Sequence, residues 1–497
     1  MKLRYYKLIL LFSGFIAVSS CNKLLDINKD PDRLPSSFTL YPQLLTSAQV
    51  NLGFEGGSDL FRYSTLIMQQ MSGLASEANQ TWHYYRYNIT GSDENNLWGS
   101  IFASTLSDLE LVIKQATSAG SPHYSGLAKV LKAYEYSLVV DTWGDVPYTE
   151  AQQLDANTQP KYDNDEEIYP KLIALLTEGI ADMNSASSLL SPGTNSTFYT
   201  NATWATARAQ WIKLANTLKL RLLLHYSKKD PAFCVAQITS LVNTTGISFL
   251  ASNSDNFQHP FYNVANQRSP ISAFEVSRPG YLYADQQMVG MMNAKTDPRR
   301  PFYFTDFPFG SGSYVGVSAT SPPPTASSNY SRIHTFLRGA VTAGTAPPFT
   351  YSGAAPQRML TYAEYCFIRA EAALRGAPGD PQTWFTNGIT ASMQEVGVSA
   401  ANITTYLTAN GTLTGTTAQK LQQIIEEKYI ALFGVSVEPW TDWRRTGYPA
   451  LSIPTNSINT VTAVPRSLFY PQSEIDLNPN CPGQKNSNLQ DKVFWDN

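Results

Sequence analysis

The stretch from Tyr124 to Ala151 constrains the fold more than any other part of the chain. Leu127, Val130, Leu131, Tyr134 and Leu138 fall at helical spacing and make one apolar stripe. Gly144 and Pro147 bar that helix from running on, and the spacing predicts its end near Asp141. The turn beyond it carries Trp143, Val146 and Tyr148 among Asp and Gly residues. A turn cannot bury an indole by itself, so another element must cover it. The helix end is therefore a point on which other parts of the chain converge.

Comparable stripes recur in pairs. Leu97–Ala116 precedes Leu127–Val140. Glu166–Met183 places Ile168, Leu172, Leu175, Leu176, Ile180 and Met183 on one face, and Trp204–Tyr226 does so with Trp211, Leu214, Leu218, Leu222 and His225. Leu360–Leu374, Pro381–Val396 and Gln419–Phe433 follow. Helix hairpins that bury a face only by stacking are the logic of an α-solenoid, although no strict repeat is visible here. The composition changes after about Ser252. Between Arg299 and Gln357 there are eight Pro, six Gly and no Lys. That segment reads as loop, with short strands at Phe302–Phe304 and Tyr314–Val317. The tyrosines Tyr281, Tyr283, Tyr303 and Tyr314 argue for order within it. The expectation is a mainly α protein. A helical scaffold at 41–252 and 358–497 carries an irregular, loop-rich layer at 253–357, where binding residues should gather.

Residues 1–20 have the form of a secretion signal. Lys2, Arg4 and Lys7 precede the apolar run Leu8–Val18, which is too short to span a bilayer. Ser19, Ser20 and Cys21 complete a lipoprotein pattern, with Cys21 the lipidation site and residues 21–40 a tether. Removing the signal moves the formal net charge from −3 to −6, so there is no basic footprint for nucleic acid. Asp26, Asn28, Asp30 and Asp32 alternate as in a calcium loop, but Pro31 stands where such a loop needs Gly. Cys234, Cys366 and Cys481 match no metal motif, and Cys366 reads as a buried thiol. Neither a metal nor a cofactor is expected.

Motifs of catalysis are missing. The chain has no HExxH, no GxSxG, no Walker loop and no GxGxxG after a strand. Glu364 and Glu371 lie seven apart on one helix face, where they read as ion-pair partners of Arg444 and Arg445. Asp141 and Asp145 read as turn formers. Aromatic residues, by contrast, reach 12%, including 28 Tyr. Sugars offer apolar C–H faces to rings and hydroxyls to polar side chains. Asn79–Tyr87 is dense in both, and Trp82, Tyr84 and Tyr85 are the first ligand-binding candidates. Tyr281, Tyr283 and Tyr314 are the second set, while Trp98, Trp143, Trp211 and Trp440 are assigned to the core.

Several phrases together resemble the SusD/RagB family of outer-membrane nutrient-binding lipoproteins. Asp141–Ala151 resembles its signature, and Asp26–Asp32 its leader. Pro160–Tyr169, Trp211–Arg221, Asp297–Arg299 and Tyr362–Glu371 are similar to later family phrases, in the right order. Trp440–Pro449, with Arg444-Arg445-Thr446-Gly447-Tyr448-Pro449, and then Pro465–Arg466 and Tyr470–Pro471 resemble its C-terminal end. The resemblance spans nearly the whole mature chain. It implies one SusD-like domain at 41–497 with tetratricopeptide-like helix pairs. It also implies a cell-surface protein, lipid-anchored in the outer membrane, that binds oligosaccharide without catalysis. The ligand would pass to a SusC-like TonB-dependent transporter, over which this protein acts as a lid. An oligopeptide ligand is the alternative, and a surface glycoside hydrolase a further one.

Overall fold

The scaffold follows from helices that each have an apolar face and a short connection. In the computed structural model the described residues are 40–73, 79–153, 156–200, 203–320, 329–455, 457 and 461–497. The signal segment, Cys21, the Asp26–Asp32 phrase and all but the last residue of the 21–40 tether lie outside them. The principal helices, labelled in chain order, are α1 (Tyr41–Gly57), α2 (Leu106–Ser118), α3 (Pro122–Trp143), α4 (Asp165–Met183), α5 (Trp204–His225) and α6 (Pro231–Val242). The second half supplies α7 (Tyr362–Leu374), α8 (Pro381–Val396), α9 (Thr417–Ala431) and α10 (Glu438–Thr446). From α1 the contacts run to α2, and on from each helix to the next as far as α6. In the second half, α7 packs on α8, α9 and α5, which joins the two halves. This is the stacked-hairpin, mainly α architecture that the apolar stripes imply. Among the described residues no helix is long and apolar enough to cross a membrane.

The α3–α4 crossing is set by two glycines. A Cβ at Gly126 would lie 2.5 Å from the carbonyl oxygen of Gly179, and one at Gly179 would lie 2.8 Å from that of Gly126. Backbone meets backbone there, so neither side can yield as a flexible side chain would.

The end of α3 comes two residues later than the spacing predicts. Asp141 is not a turn former; it is buried inside the helix, where its Oδ1 accepts from Trp495 Nε1 at 2.9 Å and from Tyr169. Gly144 ends the helix at φ +80°, a conformation open to glycine, with its N–H bonded to Val140 O at 2.8 Å. The indole that demanded a cover has one. Trp143 Nε1 donates to Phe469 O at 2.9 Å, and the ring of Trp98 meets it edge-on at 5.3 Å. Trp98, Trp143, Trp211 and Trp440 are all core residues. Cys366 is a buried thiol, pushed up to about 12 by burial.

The predicted helix Leu97–Ala116 is interrupted. A π-helical turn at Ser100–Thr105 separates Gly91–Gly99 from α2. The turn points Ser100 Oγ and Thr105 Oγ1 at Glu55 Oε1, 2.5 and 2.9 Å away. Segment 253–357 holds more regular structure than its composition suggests. It contains helices Pro270–Ser277, Gln286–Ala294, Arg300–Tyr303 and Thr335–Arg338. The short strands of the fold all pair antiparallel: β1 (Met71–Gly73) with β3 (Leu282–Ala284), β2 (Phe257–His259) with β6 (Gln357–Leu360), and β4 (Val341–Ala343) with β5 (Thr350–Tyr351). The strand expected at Phe302–Phe304 is mostly a helical turn, and only single bridges survive, Phe304 to Ile333 and Val317 to Asp285.

Glu364 and Glu371 are ion-pair partners, with one change of partner. Glu371 binds Arg445 through both oxygens, at 2.9 and 3.0 Å. Glu364 binds Arg221, at 2.7 Å through each oxygen, and not Arg444. Arg444 instead donates to the carbonyls of Asp141 and Arg466 at 2.6 and 2.8 Å.

Gly126→Ala tests the helix crossing. The added methyl should force α3 and α4 apart and cost about 1–3 kcal/mol, read as a lower urea midpoint with an unchanged slope.

Candidate functional site

A ligand-binding ring must keep a face open to solvent. The six candidate rings are placed differently. Trp82, Tyr84 and Tyr85 sit on the short helix Gln80–Tyr85, capped by Asn79, and are only 6, 1 and 3% exposed. Tyr84 donates to Asp93 at 3.2 Å and Tyr85 to Asp285 at 2.7 Å. Tyr283 is fully buried in β3. These four rings are packing residues, because the helix and β3 turn them inward against each other's layers. Tyr281 and Tyr314 are half-buried. Tyr281 packs edge-on against Phe274, and Arg300 lies 5.2 Å from the Tyr314 ring centre. The six do not converge on one cavity.

Rings do converge elsewhere in the same layer, with Phe309 exposed, Phe307, Tyr330 and Phe349 half-buried and Tyr351 buried. A cleft of about 570 Å³ is lined by Phe307, Phe309, Tyr330, Phe349 and Tyr351, together with Val276 and the polar groups Glu275, Asp306, Arg332 and Arg338. Two loops build it. Residues 306–313 close on themselves: Asp306 accepts from Gly312 N at 2.9 Å, and Phe307 N donates to Ser313 O at 2.7 Å. That closure lifts Phe309 to the tip, 51% exposed. The β4–β5 hairpin brings Phe349 opposite, 5.6 Å from Phe309 between ring centres and roughly perpendicular to it. His334 Nδ1 and the Tyr351 hydroxyl are 2.7 Å apart and fix the floor. Burial, and then the charge of Arg338, hold the His334 imidazolium below its ordinary range. Tyr283 backs this cleft without opening onto it: Tyr330 packs on one side of it and Arg332 lies 5.0 Å from its ring centre.

The sequence carried a signal for these rings that a search for aromatic density passes over. Asp306-Phe-Pro-Phe-Gly310 and Pro347-Pro-Phe-Thr-Tyr351 set aromatics beside prolines. Proline stiffens a loop and keeps it out of sheets, so a ring next to it tends to stay at the surface.

A second cleft, of about 450 Å³, lies at the end of α3 and is lined by Asp145, Asp165, Lys485 and Asp491. Its rings Trp143, Tyr470 and Phe494 are buried and offer no stacking face. No group of three or more His, Cys, Asp or Glu among the described residues is placed to hold a metal.

The fold is a stacked helical scaffold whose loops present an aromatic cleft. The chain belongs to the SusD-like family described as "Starch-binding associating with outer membrane", whose model matches residues 33–471. No curated protein matches the chain. Among solved structures it is similar to a chitin-binding protein, with 24% identity, TM-score 0.75, and coverage of 92% of this chain and 100% of that one. A chitin-binding SusD homologue from Flavobacterium johnsoniae gives 22% identity and TM-score 0.73, covering 92 and 98%. A SusD homologue from Bacteroides fragilis gives 24% and 0.71, covering 88 and 94%. These likenesses establish the shared fold.

Asp285 offers a test of the packing role of the first candidate cluster. It caps Gln286–Ala294, accepts from Tyr85, and is raised to about 8 by burial. A carboxyl raised in the folded state stabilises fully below its unfolded value near 4, and that contribution is lost as pH rises through about 8. Asp285→Asn should therefore flatten the stability profile between these limits, with wild type losing more stability than the variant as pH rises, read by thermal unfolding across pH.

Proposed function

We propose that the protein captures oligosaccharides at the cell surface without cleaving them, and delivers them to a SusC-like TonB-dependent outer-membrane transporter. The observation that carries this reading is the cleft in the 253–357 layer, where exposed Phe309 and half-buried Phe349 face each other. An open ring takes the C–H face of a sugar, and Arg332 and Arg338 are placed to donate to its hydroxyls. Two structural relatives described as chitin-binding support a glycan ligand, as does the starch-binding description of the family. The family's association with the outer membrane supports the location, and the lipoprotein pattern ending at Cys21 supplies an anchor. Capture needs reversible binding and no covalent step. Within the cleft, Glu275 is committed to Arg332 at 2.8 Å and Asp306 to the backbone of its own loop, which leaves no free carboxylate pair flanking a ring. The proposed binding residues are thus Phe309, Phe349 and Tyr330, with Tyr281 and Tyr314 as half-open rings elsewhere in the layer, while buried Tyr351 forms the floor.

Calorimetry of residues 22–497 against chitin- and starch-derived oligosaccharides, with product analysis of each mixture, tests capture. Saturable binding without new products is expected, and Phe309→Ala should weaken it about tenfold, or about 1.4 kcal/mol. Shortened products would make the protein a hydrolase; saturation by peptides alone would keep the transport role and replace the ligand. Co-purification of a TonB-dependent barrel with the full-length chain from detergent-solubilised outer membranes tests the delivery step.

A further inference from the structure

The wall of the aromatic cleft holds two guanidinium groups and shares one carboxylate between them. Arg332 Nη2 donates to Glu275 Oε2 at 2.8 Å. Arg338 Nη1 lies 3.9 Å from that same oxygen, beyond hydrogen-bond reach. The Arg338 guanidinium makes no hydrogen bond to any described residue; its Cζ rests 3.9 Å from the centre of the Tyr351 ring. Its side chain is 11% exposed, and that of Arg332 is 25% exposed. The Nε atoms of both arginines are buried without a hydrogen-bond partner. Burial lowers the proton affinity of Arg338, Glu275 and Tyr351 offset part of that, and the charge of Arg332 opposes it further. Asp306 is the other acid lining the cleft, but it accepts from Gly312 N and forms no ion pair among the described residues. Across the whole lining the charges balance in number, yet at the Arg332–Arg338 wall two cations face one anion.

An imidazole stands at the same place. His334 bonds Tyr351 and lies under the influence of both Arg338 and Asp306. Its proton affinity is lowered first by burial and then by Arg338, and in either protonation state an imidazole brings no anion to the arginines. A buried cation short of partners is costly, and a ligand that brings the missing anion gains what the protein leaves unmet. The aromatic rings select a sugar; the arginine wall selects what that sugar carries.

We propose that the captured glycan bears an anionic substituent, a uronate carboxylate or a sulfate ester, seated between Arg338 and Arg332. This rests on the capture reading and narrows its substrate class. A neutral glucan or chitin fragment would bring no anion to Arg338, whose contact with Glu275 stays at 3.9 Å. A carboxylate or sulfate would accept from both groups at once, with the planar two-donor geometry that guanidinium offers.

Calorimetry on the wild-type chain decides the matter with oligogalacturonate, a sulfated carrageenan fragment, chitohexaose and maltohexaose of matched length, plus a short peptide with a free C-terminus. At least one acidic glycan should bind about tenfold tighter than the neutral pair. Its advantage should shrink between about 0.02 M and about 0.5 M salt, where the screening length falls severalfold. Which acidic glycan wins identifies carboxylate or sulfate as the source. Arg338→Gln should bring the acidic glycan down to the neutral level, while Arg338→Lys keeps part of the preference; thermal midpoints report whether each variant folds. Neutral glycans bound as tightly as acidic ones, and weakened by Phe309→Ala, would overturn this inference and leave capture intact. Failure of all four glycans would overturn both readings, and Arg338-dependent binding of the peptide alone would overturn this one.

Discussion

The joint between the two halves of the scaffold is a buried set of charges that cannot be left unpaired. Arg221 from α5 reaches Glu364 on α7 at 2.7 Å, and Glu438 at the start of α10 at 3.6 Å. Lys428 on α9 sits between Glu438 and Asp442, 2.8 Å from each. Arg445 joins Asp442, at 2.6 Å, to Glu371 on α7. These side chains are at most 4% exposed. Desolvated ions like these add little net stability as pairs, but loss of any one partner strands the others at a cost of about 3–5 kcal/mol. What the cluster contributes is specification: four helices from distant parts of the chain are compatible in only one arrangement. The charges pull as their surroundings dictate. Burial opposes ionisation of Glu371, but Arg445 and then Arg375 outweigh it and hold its carboxyl down to about 2. The backbone is bent to serve the cluster. Val437, at φ +63° and ψ −47°, forms a tight turn in which Glu438 N donates to Ser436 O at 2.7 Å. A β-branched residue is strained there, and the turn sets Glu438 between His225, Arg221 and Lys428.

The loop layer is fastened to this scaffold by a second cluster of the same kind. Arg299, fully buried, pairs with Asp297 at 2.5 Å and with Glu427 on α9 at 2.9 Å. Lys295 and Tyr406 reach the same Glu427 at 2.8 and 2.6 Å. Tyr303 Oη adds a bond to Ile430 O at 3.2 Å. The layer is thus tied down through its middle, and the two loops that carry Phe309 and Phe349 project beyond the tie. A rigid base with projecting loops lets contact residues vary while the fold is held elsewhere.

Long helices were legible because period and caps agree over many turns. Pro381–Val396 is found as read, with Asp380 capping Thr383 N and Pro381 in the first turn. The departures have local causes that periodicity does not register. The π-turn at Ser100–Thr105 exists to serve a carboxylate fifty residues away, Glu55. Helices of four to nine residues in the loop layer span too few turns to show a stripe. The change of partner at Glu364 depends on which arginine the packing of α5 against α7 brings near, and spacing along the chain does not contain that.

The open rings of the loop layer were the least legible feature, for a reason that bears on aromatic-rich sequences in general. A run such as Trp82-His-Tyr-Tyr85 is dense because a short helix is filling a space between β1, β3 and the core, and Tyr85 is buried by its bond to Asp285 two hundred residues on. Ring density reports a demand for volume. Exposure depends on whether a backbone can turn a ring outward and hold it there, and that demand falls on the loop. At Phe309 it is met by a loop closed through Asp306 and Gly312, and at Phe349 by a hairpin that pairs Thr350 with Ala343. In this layer the closed loops, and not the densest rings, mark where an aromatic face reaches solvent.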